Sequence, residues 1–373
     1  MSSIELSPPR ARSPEATRRN RRLRLPFLAL GLSFFLAAIY GGLWRLGWPL
    51  PHAQRLGDLH GPLMISGFFG TLIGLERSVA LGKSWAFAAP LLSCAGALAL
   101  VAGVPPAFAA AAFVAAAALL SGASLMALRH DRRIFTALLA VAAACWGVGG
   151  LVWLRTGVVP YATPWWLMFL TLTVAAERLD MSRLLGVARL GVAAFLACVA
   201  LLISGASLGL FDPLGARLLG AGFVALALWL LKHDIALRNL RRAPHLRYFG
   251  VCMALGYLWM GVAGVALIVA PPGVAPYGYD MALHAILIGF VLSMAFGHSV
   301  IVIPAITGAA APYHRTMYAG LALLHASLIL RLCGDAFVYE PARVASGALT
   351  LAGMVAFAGV LGWRIKTAPR AAA

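Results

Sequence analysis

Four of the nine histidines lie inside apolar stretches, where an ionisable side chain is costly in lipid and is by default a functional candidate: His60, His284, His298 and His325. His60 opens one stretch in Asp58-Leu59-His60-Gly61-Pro62-Leu63-Met64, and His284 opens another in Asp280-Met281-Ala282-Leu283-His284-Ala285. If both stretches enter the membrane from the same side, the two imidazoles lie about one helical turn inside the same face. Equal depth on separate helices suits a pair of axial ligands to one haem iron. The plainer alternative is two interfacial imidazoles bonded to backbone carbonyls. Gly67 and Gly74 follow His60 near its helical face, and Gly289 follows His284. Glycine there lets a flat cofactor or a neighbouring backbone come close. Asp58 and Asp280 are expected to cap the helix starts, with orientation of the imidazoles as the functional alternative.

His298 stands fourteen residues after His284, on nearly the same helix face but about 21 Å deeper, so the two cannot share one metal. It sits in Ala295-Phe296-Gly297-His298-Ser299, and His325 sits in Leu323-Leu324-His325-Ala326-Ser327 nearer mid-bilayer. Each could ligate a second haem or bond across helices. His52, His130, His233, His245 and His314 fall among charges at span edges and read as solvated. Glu76-Arg77 and Glu177-Arg178 close two apolar stretches; interfacial anchoring is their ordinary role, a proton path or carboxylate site the alternative. Five separated cysteines form no metal-spaced pair and read as packing residues. No phosphate-binding loop, dinucleotide fingerprint, HExxH or GxSxG context occurs, so hydrolase and nucleotide-driven pump readings have no support.

The elements that must position these residues follow from composition. Of 373 residues, 62% are hydrophobic and 11% charged, with mean hydropathy +0.88; soluble domains carry roughly 25% charge. The expected fold is all-α, a polytopic bundle of about twelve spans. They fall near 25–47, 58–76, 85–104, 107–128, 134–154, 158–177, 187–210, 214–232, 247–270, 280–304, 313–333 and 342–364, each long enough for a bilayer core. Residues 1–24, with seven arginines, are expected as a disordered cytoplasmic tail, 25–366 as one transmembrane domain and 367–373 as a second tail. Twelve spans place 24 Lys and Arg on one side and 6 on the other, which puts both termini in the cytoplasm of a bacterial-type inner membrane. The net charge of +18 therefore reports topology and implies a lipid bilayer, not nucleic acid, as partner. Tryptophans 44, 48, 153, 165 and 166 read as an interfacial belt. Glu-Arg at the ends of spans two and six, and Gly297-His298-Ser299 at the comparable depth of span ten, hint at three four-helix repeats.

Twelve spans with His at the outer start of spans two and ten resemble haem–copper oxidase subunit I, where the low-spin haem lies between the second and tenth helices. The stretches HAILIGFVLSMAFGHSVIVIPAITG and DLHGPLMISGFFGTLIGLER are similar to the His-bearing helices of NnrS-type membrane proteins. That resemblance implies a haem b protein, with one haem or two. His60 and His284 would be its ligands, His298 a further residue of the pattern, and a redox partner or small gas ligand is implied in nitric-oxide or nitrosative-stress handling. Spans six and seven hold no His, so no copper is expected and oxygen reduction to water is disfavoured. The competing class is a cofactor-free secondary transporter using embedded His and Glu.

Reporter fusions test the topology: those after Pro106 and Ala275 are expected outside the cytoplasm and one after Arg242 inside. An external Arg242 reporter contradicts the charge argument.

Overall fold

The computed structural model describes residues 24–307 and 309–368; all but Arg24 of the expected basic tail, and residues 369–373, lie outside the described residues. The described chain is helical throughout. Twelve long helices succeed one another: α1 (Leu25–Arg45), α2 (His60–Leu81), α3 (Ser84–Ala102), α4 (Pro106–His130), α5 (Ile134–Thr156), α6 (Val159–Ser182), α7 (Arg189–Leu208), α8 (Pro213–His233), α9 (Pro244–Val269), α10 (Gly278–Pro304), α11 (Met317–Ala336) and α12 (Glu340–Thr367). Prolines in the first turn start α4, α8, α9 and α12, where the missing N–H has no helical partner to lose. Gly82, Gly103 and Gly157 end α2, α3 and α5 with φ of 68°, 96° and 68°, a left-handed turn that suits glycine.

Eleven of the twelve are long and apolar enough to cross a membrane, which marks the chain as an integral membrane protein. The exception is α6, and it qualifies the expectation of twelve equally apolar spans. It carries Pro160, Thr163, Pro164, Thr171 and Thr173 and ends in Glu177, Arg178 and Asp180. Its place explains this composition: 16 of its 24 residues are buried. A helix surrounded by protein can satisfy polar groups with its neighbours and need not match lipid.

Neighbours in sequence are mostly neighbours in space, with α3 through α6 packed in succession and α7 on α8 on α9. α10 lies against α9 and α11 and also meets α6 and α2. The indole N–H of Trp48, just past α1, donates to the Val344 carbonyl at 3.1 Å, bringing the first helix to the last. Both His-bearing helices widen after their histidine into eight-residue π-helical segments, Leu63–Gly70 in α2 and Ala285–Leu292 in α10. Such segments are rare and concentrate at functional sites.

Trp153 and Trp166, expected in an interfacial belt, face protein instead of the outside of the bundle, with 3% and 0% exposure, and pack edge to face with centroids 5.9 Å apart. Four cysteines are buried as expected; Cys333 is exposed on α11. α8 and α9 touch backbone to backbone: a Cβ on Gly264 would lie 2.5 Å from the Gly220 carbonyl oxygen. Gly264→Leu is therefore expected to force these helices apart and cost about 1–3 kcal/mol, read as a lower unfolding temperature in detergent, whereas Leu at Gly359, which has open space around it, should be neutral.

Candidate functional site

The ends of α1, α2, α10, α11 and α12 enclose a cavity of about 320 Å³ lined by both His60 and His284. Its inner wall is apolar, with Met64, Leu287, Ile288 and Met354, and its mouth is charged, with Arg45, Asp280, Arg331 and Arg343. Nδ1 of His60 donates to the Ala38 carbonyl of α1 at 2.6 Å. Gly42, one helical turn on, leaves room for the ring, since a Cβ there would fall 2.8 Å from the imidazole Cε1. Nδ1 of His284 donates to the Asp280 carbonyl at 2.9 Å and lies 3.1 Å from that residue's carboxylate. A proton committed to Nδ1 leaves the Nε2 lone pair free, the state in which histidine ligates iron. Neither Nε2 makes a hydrogen bond among the described residues.

Asp280 does not cap α10; Tyr277 holds the cap position, with no side-chain cap bond. Its carboxylate instead meets Arg331 at 2.5 Å and Arg343 at 3.4 Å. Arg343 also binds Asp335 at 2.6 Å and Glu340 at 2.8 Å, and its guanidinium lies 3.6 Å over the Tyr277 ring. The Tyr277 hydroxyl donates to Glu340, and that carboxylate pushes the phenol above its ordinary pKa. Two guanidiniums thus hold three carboxylates beside His284. Arg45, at the same mouth, makes no ion pair among the described residues. Asp58 is exposed, and no side-chain cap bond forms at the start of α2.

The glycines after the histidines serve helix packing rather than the cavity. Gly67 faces Ala97 and Phe34, Gly74 faces Pro90, and Gly289 faces Trp259 and Leu328. His325 stands apart from the cavity, with both nitrogens engaged: Trp259 donates to Nδ1 at 2.7 Å, and Nε2 lies 3.4 Å from Ser293 Oγ. His298 donates from Nδ1 to the Met294 carbonyl at 2.7 Å, and its Nε2 accepts from Arg178 at 3.4 Å.

That last contact gathers the three landmarks of spans two, six and ten at one end of the bundle. Arg77 of α2 pairs with Glu177 of α6, and Arg178 of α6 reaches His298 of α10. Two adjacent residues of α6 thus link it to α2 on one side and to α10 on the other. In the sequence Arg331 and Arg343 stand only among the charges that report sidedness, and Asp335 and Glu340 belong to no motif. The available signal was Arg331 inside an apolar run four residues before Asp335, a spacing that faces one side of a helix. Among the described residues, no group of three or more His, Cys, Asp or Glu is placed to hold a bare metal ion.

Residues 24–365 match the model of a family described as a domain of unknown function (DUF8744). No curated protein and no solved structure matches the chain.

Asp280→Asn removes the carboxylate that Arg331, Arg343 and His284 share. Leaving buried guanidiniums short of a partner costs roughly 3–5 kcal/mol at fully buried sites; with Asp280 24% exposed, about 2–3 kcal/mol is expected. Thermal unfolding of the purified protein measures it, and Asp58→Asn should be neutral.

Proposed function

From the cavity of this chain, which belongs to the family described as a domain of unknown function (DUF8744), we propose an integral membrane haem b protein in which His60 and His284 would hold the haem iron. The observation that carries the reading is that two imidazoles on separate helices line one cavity, each with Nδ1 tied to a backbone carbonyl and Nε2 left free. Two side chains do not hold a bare metal ion securely. They suffice where a porphyrin brings the other four donors. The lining suits such a group: apolar Met64, Leu287, Ile288 and Met354 for the ring, and the unpaired Arg45 at the mouth for its carboxylates.

A haem held this way supplies a one-electron iron couple. The chain's own residues do the rest. The Ala38 carbonyl fixes the His60 tautomer, while the Asp280 carbonyl and carboxylate fix that of His284 and add electron density to it. Arg331 and Arg343 hold the Asp280 carboxylate in place. With an imidazole from each of two helices, the group would serve electron transfer, and gas sensing or nitric-oxide-linked stress handling would need one imidazole to yield. The resemblance to NnrS-type proteins and oxidase subunit I points the same way. α6 and α7 offer no imidazole, so copper has no expected ligands there. The sidedness of Lys and Arg supports a reading with the His60 end outside and both termini inside a bacterial-type cytoplasmic membrane, with α6 counted as the twelfth span.

An absorption spectrum of the purified protein tests this. A six-coordinate low-spin haem is expected, with iron and without stoichiometric copper. His60→Ala and His284→Ala should each give a high-spin or empty site while the protein still purifies as a folded monodisperse species. His130→Ala should leave the spectrum unchanged, and His325→Ala and His298→Ala report on a second haem through loss of a separate spectral component. Wild-type spectra at full occupancy in both His60→Ala and His284→Ala, or no haem at all, would favour a cofactor-free transporter using the embedded His and Glu.

A further inference from the structure

A second cavity, of about 270 Å³, lies where α5 and α7 begin and α6 ends. It is lined by Arg132, Arg133 and Arg183, with one carboxylate, Asp180. Its floor is apolar, from Ile134, Phe135, Leu179, Val187 and Val192. The ion pairs show how much positive charge is free. Arg133 is fully used: it binds Asp131 through Nε and a terminal nitrogen and Asp180 at 3.1 Å. Its hydrogen bond keeps the Asp131 carboxyl below the usual carboxylate range, so that pair stays charged. Arg183 spends one nitrogen on Asp180 at 3.2 Å and is 63% exposed. Arg132 is exposed and makes no hydrogen bond or ion pair among the described residues. The adjoining starts of α5 and α7 have no side-chain cap, so their amide dipoles add positive potential.

The position of this cavity says what kind of anion it meets. Both α5 and α7 are apolar enough to cross a membrane, so the cavity sits at the border between hydrocarbon and water. Leu184 and Leu190, beside it in sequence, are 70% and 82% exposed. Arginines with uncommitted donors above an apolar floor and beside bare leucines suit one molecule with a phosphate head and hydrocarbon tails. We propose that this cavity binds the headgroup of an anionic phospholipid, with Arg132 and Arg183 on its phosphate and its acyl chains along Leu184 and Leu190. The proposal is independent of the haem reading, since it shares no residue with the first cavity.

Intact-complex mass spectrometry of the full chain in mild detergent, titrated with phosphatidylglycerol or phosphatidylcholine, tests it. The wild type is expected to retain phosphatidylglycerol about tenfold better than phosphatidylcholine. R132Q/R183Q should lose that preference with an unchanged unfolding temperature, and R241Q/R242Q, at exposed arginines elsewhere, should keep it. If the double variant fails to fold, Arg132→Gln alone, at an unpaired exposed side chain, should still lower retention about fivefold. An undiminished preference in the Arg132 variants, an equal loss in R241Q/R242Q, or displacement of the lipid by equimolar inorganic phosphate would each overturn the assignment.

Discussion

The histidine end of the bundle depends on Asp280. One carboxylate faces two guanidiniums and an imidazole, from α11, α12 and its own helix. In lipid each of these charges alone would be expensive, and together they are tolerable because each has a partner of opposite sign. The consequence is geometric as much as energetic. Holding Asp280 holds His284, and holding Arg331 and Arg343 fixes α11 and α12 around the cavity mouth.

The opposite end combines an ion pair with an arginine–imidazole contact. Arg77, Glu177, Arg178 and His298 come from α2, α6 and α10, and each satisfies a neighbour that would otherwise be stranded. Two of these helices meet again at the histidine end, where the Tyr279 hydroxyl of α10 lies 2.8 Å from Thr163 of α6. The three form the centre of the molecule, and the more apolar helices shield it. This is why α6 looks less like a membrane span than its neighbours: its polar groups face protein. The space beside α2 and α6 is filled with aromatic side chains, Trp146 stacking on Phe169 at 5.1 Å while its N–H binds Ser66 at 2.9 Å. The cavity opens between α1, α2 and α10, where Gly42 of α1 makes room for the His60 ring.

The π-helical widening of α2 and α10 connects these ends. A wider turn shifts the register of everything after it relative to an α-helix, and in both helices it falls between the histidine and the charged cluster. The face that bears His60 or His284 and the face that bears Arg77 or His298 can then each meet their own partners. An unbroken α-helix sets the angle between them rigidly at about 100° per residue.

Composition and period were enough to determine the helical membrane class, most span boundaries within a few residues, and that His60 and His284 stand at the same end of their helices, where both line one cavity. These are one-dimensional properties: hydrocarbon thickness sets helix length, and a histidine's distance from a span end sets its depth. The helix faces were harder to read. Gly67, Gly74 and Gly289 sit close to the histidines in sequence yet pack against Phe34, Pro90 and Trp259. Trp153 and Trp166 have the placement of an interfacial belt but are buried. Asp280 has the position of a cap and the bonds of an ion-pair centre. Arg331, Asp335, Glu340 and Arg343 join the site from helices that begin about forty and more residues after α10 does, and no local spacing connects them to Asp280. Burial of a charge in lipid demands a partner, and only the tertiary arrangement of α10, α11 and α12 decides which partner it finds.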